Sequence, residues 1–186
     1  MNRANLSFWL NQITGTLTFM IGVVACYFGA LQQMPWLGMA VVLLIILIDL
    51  LQDKKRIRNK IKLVVVVALA AAVMETLLIV SSVYSVTPSS RLLGLQSVLP
   101  VWILALWVNF SVRIISYLVF TRGKHFVNAL LGIVFAVLIF RSAERFGLVA
   151  LTYGVYSLVI IAAAWGVFVP FIYMYANRLF LDTRKK

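Results

Sequence analysis

Long apolar runs separated by short polar connections set the pattern of this chain. The runs cover about residues 6–31, 35–52, 61–86, 97–120, 126–144 and 148–176. Most are near the roughly 20 residues that a helix needs to cross about 30 Å of hydrocarbon. Runs such as IKLVVVVALAAAV do not alternate between apolar and polar positions, as the strands of a membrane barrel must. The pattern therefore predicts an all-α, polytopic membrane protein. Six transmembrane helices would form one compact bundle and a single domain over residues 1–186.

Composition gives the same answer. Hydrophobic residues make up 63% of the chain and charged residues 12%, whereas a soluble domain is nearer half apolar and a quarter charged. The longest outer connection, TPSSRLLGLQ, leaves no room for an extramembrane catalytic module. The N-terminal run superficially resembles a signal peptide. It is too long for one, carries Asn11, Gln12 and three threonines, and lacks a small-residue cleavage site, so an uncleaved first helix is expected.

The net charge of +12 changes the picture only through its placement. Thirteen of the 17 basic residues fall on one side of a six-span arrangement: Arg3, then Lys54, Lys55, Arg56, Arg58, Lys60 and Lys62, then Arg122 and Lys124, then Arg178, Arg184, Lys185 and Lys186. Arg91, Arg141 and Arg145 fall on the other side, and Arg113 falls inside a span. The positive-inside rule then puts both termini in the cytoplasm. Such charges match the anionic headgroups of the cytoplasmic leaflet, so membrane lipids are the expected partner and nucleic acid is not. A protein partner or a second copy of the chain is left open.

No cofactor is expected. A single cysteine, Cys26, and a single histidine, His125, cannot build an internal disulfide, a Cys/His metal cluster or a bis-histidine haem site. Cys26 reads as a small packing residue and His125 as solvated at a helix end. The small-xxx-small pairs Ala25/Gly29, Gly132/Ala136 and Ala162/Gly166 allow close helix approach. Trp36, Trp102, Tyr117, Tyr173 and Tyr175 lie near span ends and read as interface anchors.

Candidate chemistry rests on the polar residues within the spans. Glu75, in LAAAVMETLLIV, lies roughly 20 Å from the cytoplasmic start of its run at 1.5 Å per residue. Asn109 is roughly 18 Å deep and Arg113 about 12 Å, one turn apart on a shared helix face. Asn11 and Gln12 are about 8 to 9 Å deep, and Asp49 about 5 Å. Ionisable residues at such depth are costly and are candidates for function. Two readings stay open for Glu75: a carboxyl bonded to Asn109, Arg113 or a backbone group, or a proton or substrate site. If their helices face inward together, Asn11, Gln12, Asp49, Glu75, Asn109 and Arg113 would line a cavity open to the cytoplasm. Arg141, Glu144 and Arg145 are spaced for a solvated ion-pair face, and Asp49 for an interfacial pair with a lysine.

The segments NLSFWLNQITGTLTFMIGVVACYFGA, PWLGMAVVLLIILIDLL, AAVMETLLIV and PVWILALWVNFSV carry a resemblance over nearly the whole chain. With Asn11, Gln12, Pro35, Trp36, Gly38, Glu75, Trp107 and Asn109, it resembles an uncharacterised bacterial inner-membrane family, a domain of unknown function. The resemblance implies a multi-pass inner-membrane location. It also implies genes often neighbouring those of cyclopropane-fatty-acyl-synthase-like proteins and flavoproteins, hence a role around membrane lipids. A histidine is common in that family where this chain has Asp49, so a histidine-dependent chemistry does not carry over. No nucleophile–base pair, metal cluster or phosphate loop marks an enzyme. The expected role is a non-enzymatic accessory or lipid-binding component of envelope-lipid metabolism. The alternatives are a small transporter using a Glu75/Arg113 site, or an intramembrane lipid-modifying enzyme with Glu75 or Asp49 as acid or base.

Overall fold

A computed structural model of the chain describes residues 3–87, 99–121 and 123–181, without the side chains of residues 3–11, 55, 115–121 and 181. Arg91, Arg122, Arg184, Lys185 and Lys186, and the side chains of Arg3, Lys55 and the expected anchor Tyr117, therefore lie outside what is described.

Six helices account for nearly all of the described chain: α1 (Arg3–Leu31), α2 (Pro35–Gln52), α3 (Ile57–Val80), α4 (Val101–Thr121), α5 (His125–Arg145) and α6 (Val155–Leu181). A 3₁₀ turn, Lys54–Arg56, links α2 to α3. Five of the helices are long and apolar enough to cross a membrane, and in α4 the described apolar stretch is Val101–Ile114. The helices carry large apolar side chains outward, such as Leu69, Val73, Leu77 and Val80 along one face of α3. A soluble protein rarely exposes such continuous apolar surface. This surface and the five apolar helices fit a multi-pass membrane protein.

The chain runs up and down. Gly22 lies against Asn109 and Gly15 against Arg113, so α1 and α4 are antiparallel. Asn59 reaches the carbonyl of Leu179 and Glu75 meets Trp165, so α3 and α6 are antiparallel as well. α4 packs against α1, α2, α3 and α6. Its side chains from Trp102 to Ile114 are buried almost all round, which is what a helix apolar on every face requires.

Small residues set the closest approaches. A Cβ on Gly132 would stand 2.6 Å from the backbone oxygen of Trp165, so α5 and α6 touch backbone to backbone there. A Cβ on Gly38 would meet Cys26 at 2.5 Å, which places the cysteine as packing between α1 and α2.

Two three-residue strands add to the helical expectation. α3 stops at Val80, short of residue 86 where the apolar run ends, and Tyr84–Val86 forms β1. α6 likewise starts at Val155, after β2 (Val149–Leu151). The strands pair antiparallel, with Tyr84 opposite Leu151 and Val86 opposite Val149. The reason lies in how α3 and α5 end. Ser82 (φ 56°) and Gly147 (φ 69°) take left-handed conformations. The amides of Val83 and Leu148 then bond back to the carbonyls of Leu78 and Ala143. These paired reversals satisfy the last helical carbonyls and turn each chain into an extended segment.

Candidate functional site

Glu75 is fully buried, at 0% exposure, and its surroundings differ from those expected. It meets neither Asn109 nor Arg113. Its carboxyl group accepts three hydrogen bonds: from the Tyr84 hydroxyl at 2.8 Å and from the indole N–H groups of Trp107 and Trp165 at 3.0 Å each. Tyr84 and the two indoles come from β1, α4 and α6, so one side chain of α3 ties together four elements. The Trp107 and Trp165 rings pack with centroids 4.3 Å apart, and Phe140 lies edge-on to both Trp165 and Tyr84. A carboxyl group in an apolar interior is costly unless hydrogen-bonded, and here both oxygens are occupied.

The remaining polar candidates sit elsewhere. Asn109 donates to the carbonyl of Phe19 at 3.0 Å, tying α4 to α1, and its own side-chain oxygen is buried without a partner. Asp49 accepts from Lys60 at 2.7 Å, and the same ammonium lies 3.8 Å from Asp53. The lysine is mostly buried, so this pair closes the α2–α3 corner. Arg113 lies against Gly15 of α1, and its Nε is buried without an acceptor. Together with Asp49, Arg113 lines a cavity of about 260 Å³ shared with Thr14, Gly15, Thr18 and Gln52. Gln12 lies on α1 half a turn before Thr14, while the side chain of Asn11 is outside the described residues. The six candidates thus divide. Glu75 closes an interior clasp, and Asp49 and Arg113 share a separate cavity near the α2–α3 connection.

A second opening lies between α1 and α5. A groove of about 520 Å³ is walled by Phe19, Val23, Tyr27, Phe135, Ile139 and Phe146, among others. It deepens into a small recess of about 30 Å³ bounded by Phe19, Val23, Phe135, Ile139, Trp107 and Trp165. The groove therefore ends on the two indoles that hold Glu75. The Tyr27 hydroxyl crosses it and donates to the carbonyl of Ile139 at 2.6 Å, while its ring packs against Trp102 and Phe146.

Several aromatic residues differ from the anchor reading. Trp102 is 0% exposed and Tyr173 only 3%, so both are interior packing residues, while Trp36 faces outward. Trp107, Trp165 and Tyr84 carried no local sequence signal as partners of Glu75. At the opposite end of the bundle, Arg141 pairs with Glu144 at 2.9 Å on an exposed face, as the spacing suggested. Among the described residues no group of His, Cys, Asp and Glu is placed to hold a metal ion.

Comparison with known proteins adds one finding. A family model described as "Protein of unknown function (DUF2878)" matches residues 12–171, so the chain belongs to that family. Comparisons with curated proteins and with solved structures each give no match.

Proposed function

We propose that this member of the DUF2878 family is a multi-pass inner-membrane protein that holds a membrane lipid by an acyl chain between α1 and α5. It would act as a non-enzymatic accessory in envelope-lipid metabolism. The observation that carries the reading is the lateral groove, apolar along its length and ending on Trp107 and Trp165. In hydrocarbon there is no hydrophobic gain in moving an acyl chain from lipid to protein. Selectivity for a chain then comes from close contact with fixed walls, which Phe19, Phe135 and Phe146 supply. The positive-inside rule places the end bearing Lys54, Arg56, Arg58 and Lys62 in the cytoplasm, with both termini on that side of six spans.

The clasp argues against the transporter reading and against the Glu75 form of the enzyme reading. A transporter built on a shared Glu75/Arg113 site needs the two residues together, and Glu75 has other partners. An enzyme using Glu75 as acid or base needs an open oxygen facing substrate, and both oxygens already accept bonds from Tyr84, Trp107 and Trp165.

The reading is tested by native mass spectrometry of the purified protein. Wild type is expected to carry a lipid through delipidation, and Val23→Trp, which fills the groove, to lose it. Equal lipid retention by the two proteins would contradict the proposal.

A further inference from the structure

Arg113, a cation within a span, is left unexplained by the clasp and the groove. Its guanidinium has five donors in a rigid fork. Its Nε is buried without an acceptor, and among the described residues no carboxylate lies within ion-pair distance of the guanidinium. The acid that lines its cavity, Asp49, is already matched by Lys60 at 2.7 Å. The positive charge facing the cavity is therefore uncompensated.

The cavity is built around that charge. Gly15 stands where a side chain would collide with the guanidinium: a Cβ there would lie 2.3 Å from one of its terminal nitrogens. Thr14 and Gln52 add hydroxyl and amide groups around about 260 Å³ of space. Its depth is also specific. Asp49 and Gln52 are in the last turn of α2, and Thr14 is near the start of the apolar span Gln12–Leu31. This is the level at which hydrocarbon gives way to headgroups, at the end of the bundle where Lys54, Arg56, Arg58 and Lys62 cluster.

We infer that this cavity binds a phosphate-bearing anion through Arg113, with Thr14 and Gln52 as neutral hydrogen-bonding walls; the Thr18 hydroxyl is already spent on the backbone carbonyls of Thr14 and Gly15, and the Asp49 carboxylate on the same cavity is held by Lys60. A planar fork suits phosphate oxygens in a bidentate arrangement, and a threonine hydroxyl or glutamine amide completes the shell without adding charge. The phosphate of an anionic lipid headgroup and a free phosphate share this chemistry. The inference is independent of the acyl-chain groove, which faces the other half of α1.

The test follows thermal unfolding of the purified full-length protein in a neutral detergent, titrated separately with phosphatidylglycerol and with inorganic phosphate. Wild type is expected to gain stability with one of the two. A gain from phosphatidylglycerol alone identifies a lipid headgroup, and an equal gain from inorganic phosphate identifies a free anion. Arg113→Gln is expected to weaken that response by roughly tenfold or more in apparent affinity. Arg113→Lys, which keeps the charge and loses the fork, is expected to weaken it less, and serves if the glutamine variant does not fold. Val23→Trp is expected to leave it intact, separating this site from the groove. No response in wild type, or the same response in wild type and both Arg113 variants, would overturn the inference.

Discussion

Trp107 and Trp165 donate to the same oxygen of Glu75, each at 3.0 Å, from two different helices. The other oxygen takes the Tyr84 hydroxyl. Removing the acceptor strands three donors, which distinguishes two substitutions sharply. In Glu75→Gln the amide oxygen can accept both indoles, and the amide nitrogen can donate to Tyr84, whose hydroxyl also accepts. Glu75→Gln is expected to cost about 1 kcal/mol or less. Glu75→Leu leaves all three donors unpaired and is expected to cost about 3 kcal/mol or more. Denaturation of the purified variants in detergent checks the ordering. Equal losses would show that the clasp is not held by these bonds.

Tyr27 bridges the groove from α1 to the backbone of α5. Tyr27→Phe keeps the ring contacts with Trp102 and Phe146 and deletes the bond to Ile139. A net loss of about 1 kcal/mol is expected. With the crossbar gone the groove is freer to open, so lipid retained through purification is expected to exchange faster with added lipid. An unchanged exchange rate would argue that Tyr27 does not gate the groove.

Ser82 closes α3 with φ at 56°, a conformation that costs a side-chain-bearing residue about 1–2 kcal/mol. Glycine avoids that strain and loses part of the gain through chain entropy. Ser82→Gly is expected to raise stability by about 0.5 to 1 kcal/mol, read as a higher unfolding temperature. Gly147, in the equivalent place after α5, already has this advantage, and Gly147→Ala is expected to destabilise by a similar amount.

The helices could be read from the sequence because lipid imposes a simple rule: every backbone group within the span must bond internally, and apolar runs of helix length report that directly. The place of Glu75 within a long apolar helix followed from the same rule. Its partners did not, because Tyr84, Trp107 and Trp165 stand nine, 32 and 90 residues away along the chain. Tyr84 was further hidden by an apolar run that continues past the end of α3. Only the left-handed turn at Ser82 redirects the chain into β1 and brings the phenol back over Glu75. Trp102 misled for a related reason. Its place near a helix end matches an interface anchor, and only the packing of α4 at the centre of the bundle buries it. The polar cavity was foreseen in part: Asp49 and Arg113 share it, while Glu75 lies apart.

Orientation can be read by thiol labelling in a Cys26→Ala background. Arg58→Cys, at the exposed basic end, is expected to resist a membrane-impermeant reagent in intact cells and to react after lysis. Ser85→Cys, on the exposed side of β1, is expected to react in intact cells. The reverse pattern would invert the topology, and would place the Arg113 cavity at the outer leaflet.

The claim on which the account rests is that a lipid acyl chain resides between α1 and α5. The most direct measurement places a photoreactive residue at Phe135, inside the groove, and in a separate variant at Leu69, on the outward face of α3. Irradiating the detergent-purified, delipidated protein and identifying the adducts by mass spectrometry reads out residence. The account predicts a lipid adduct at position 135 and none at position 69. Equal capture at both positions, or capture at neither, would contradict it.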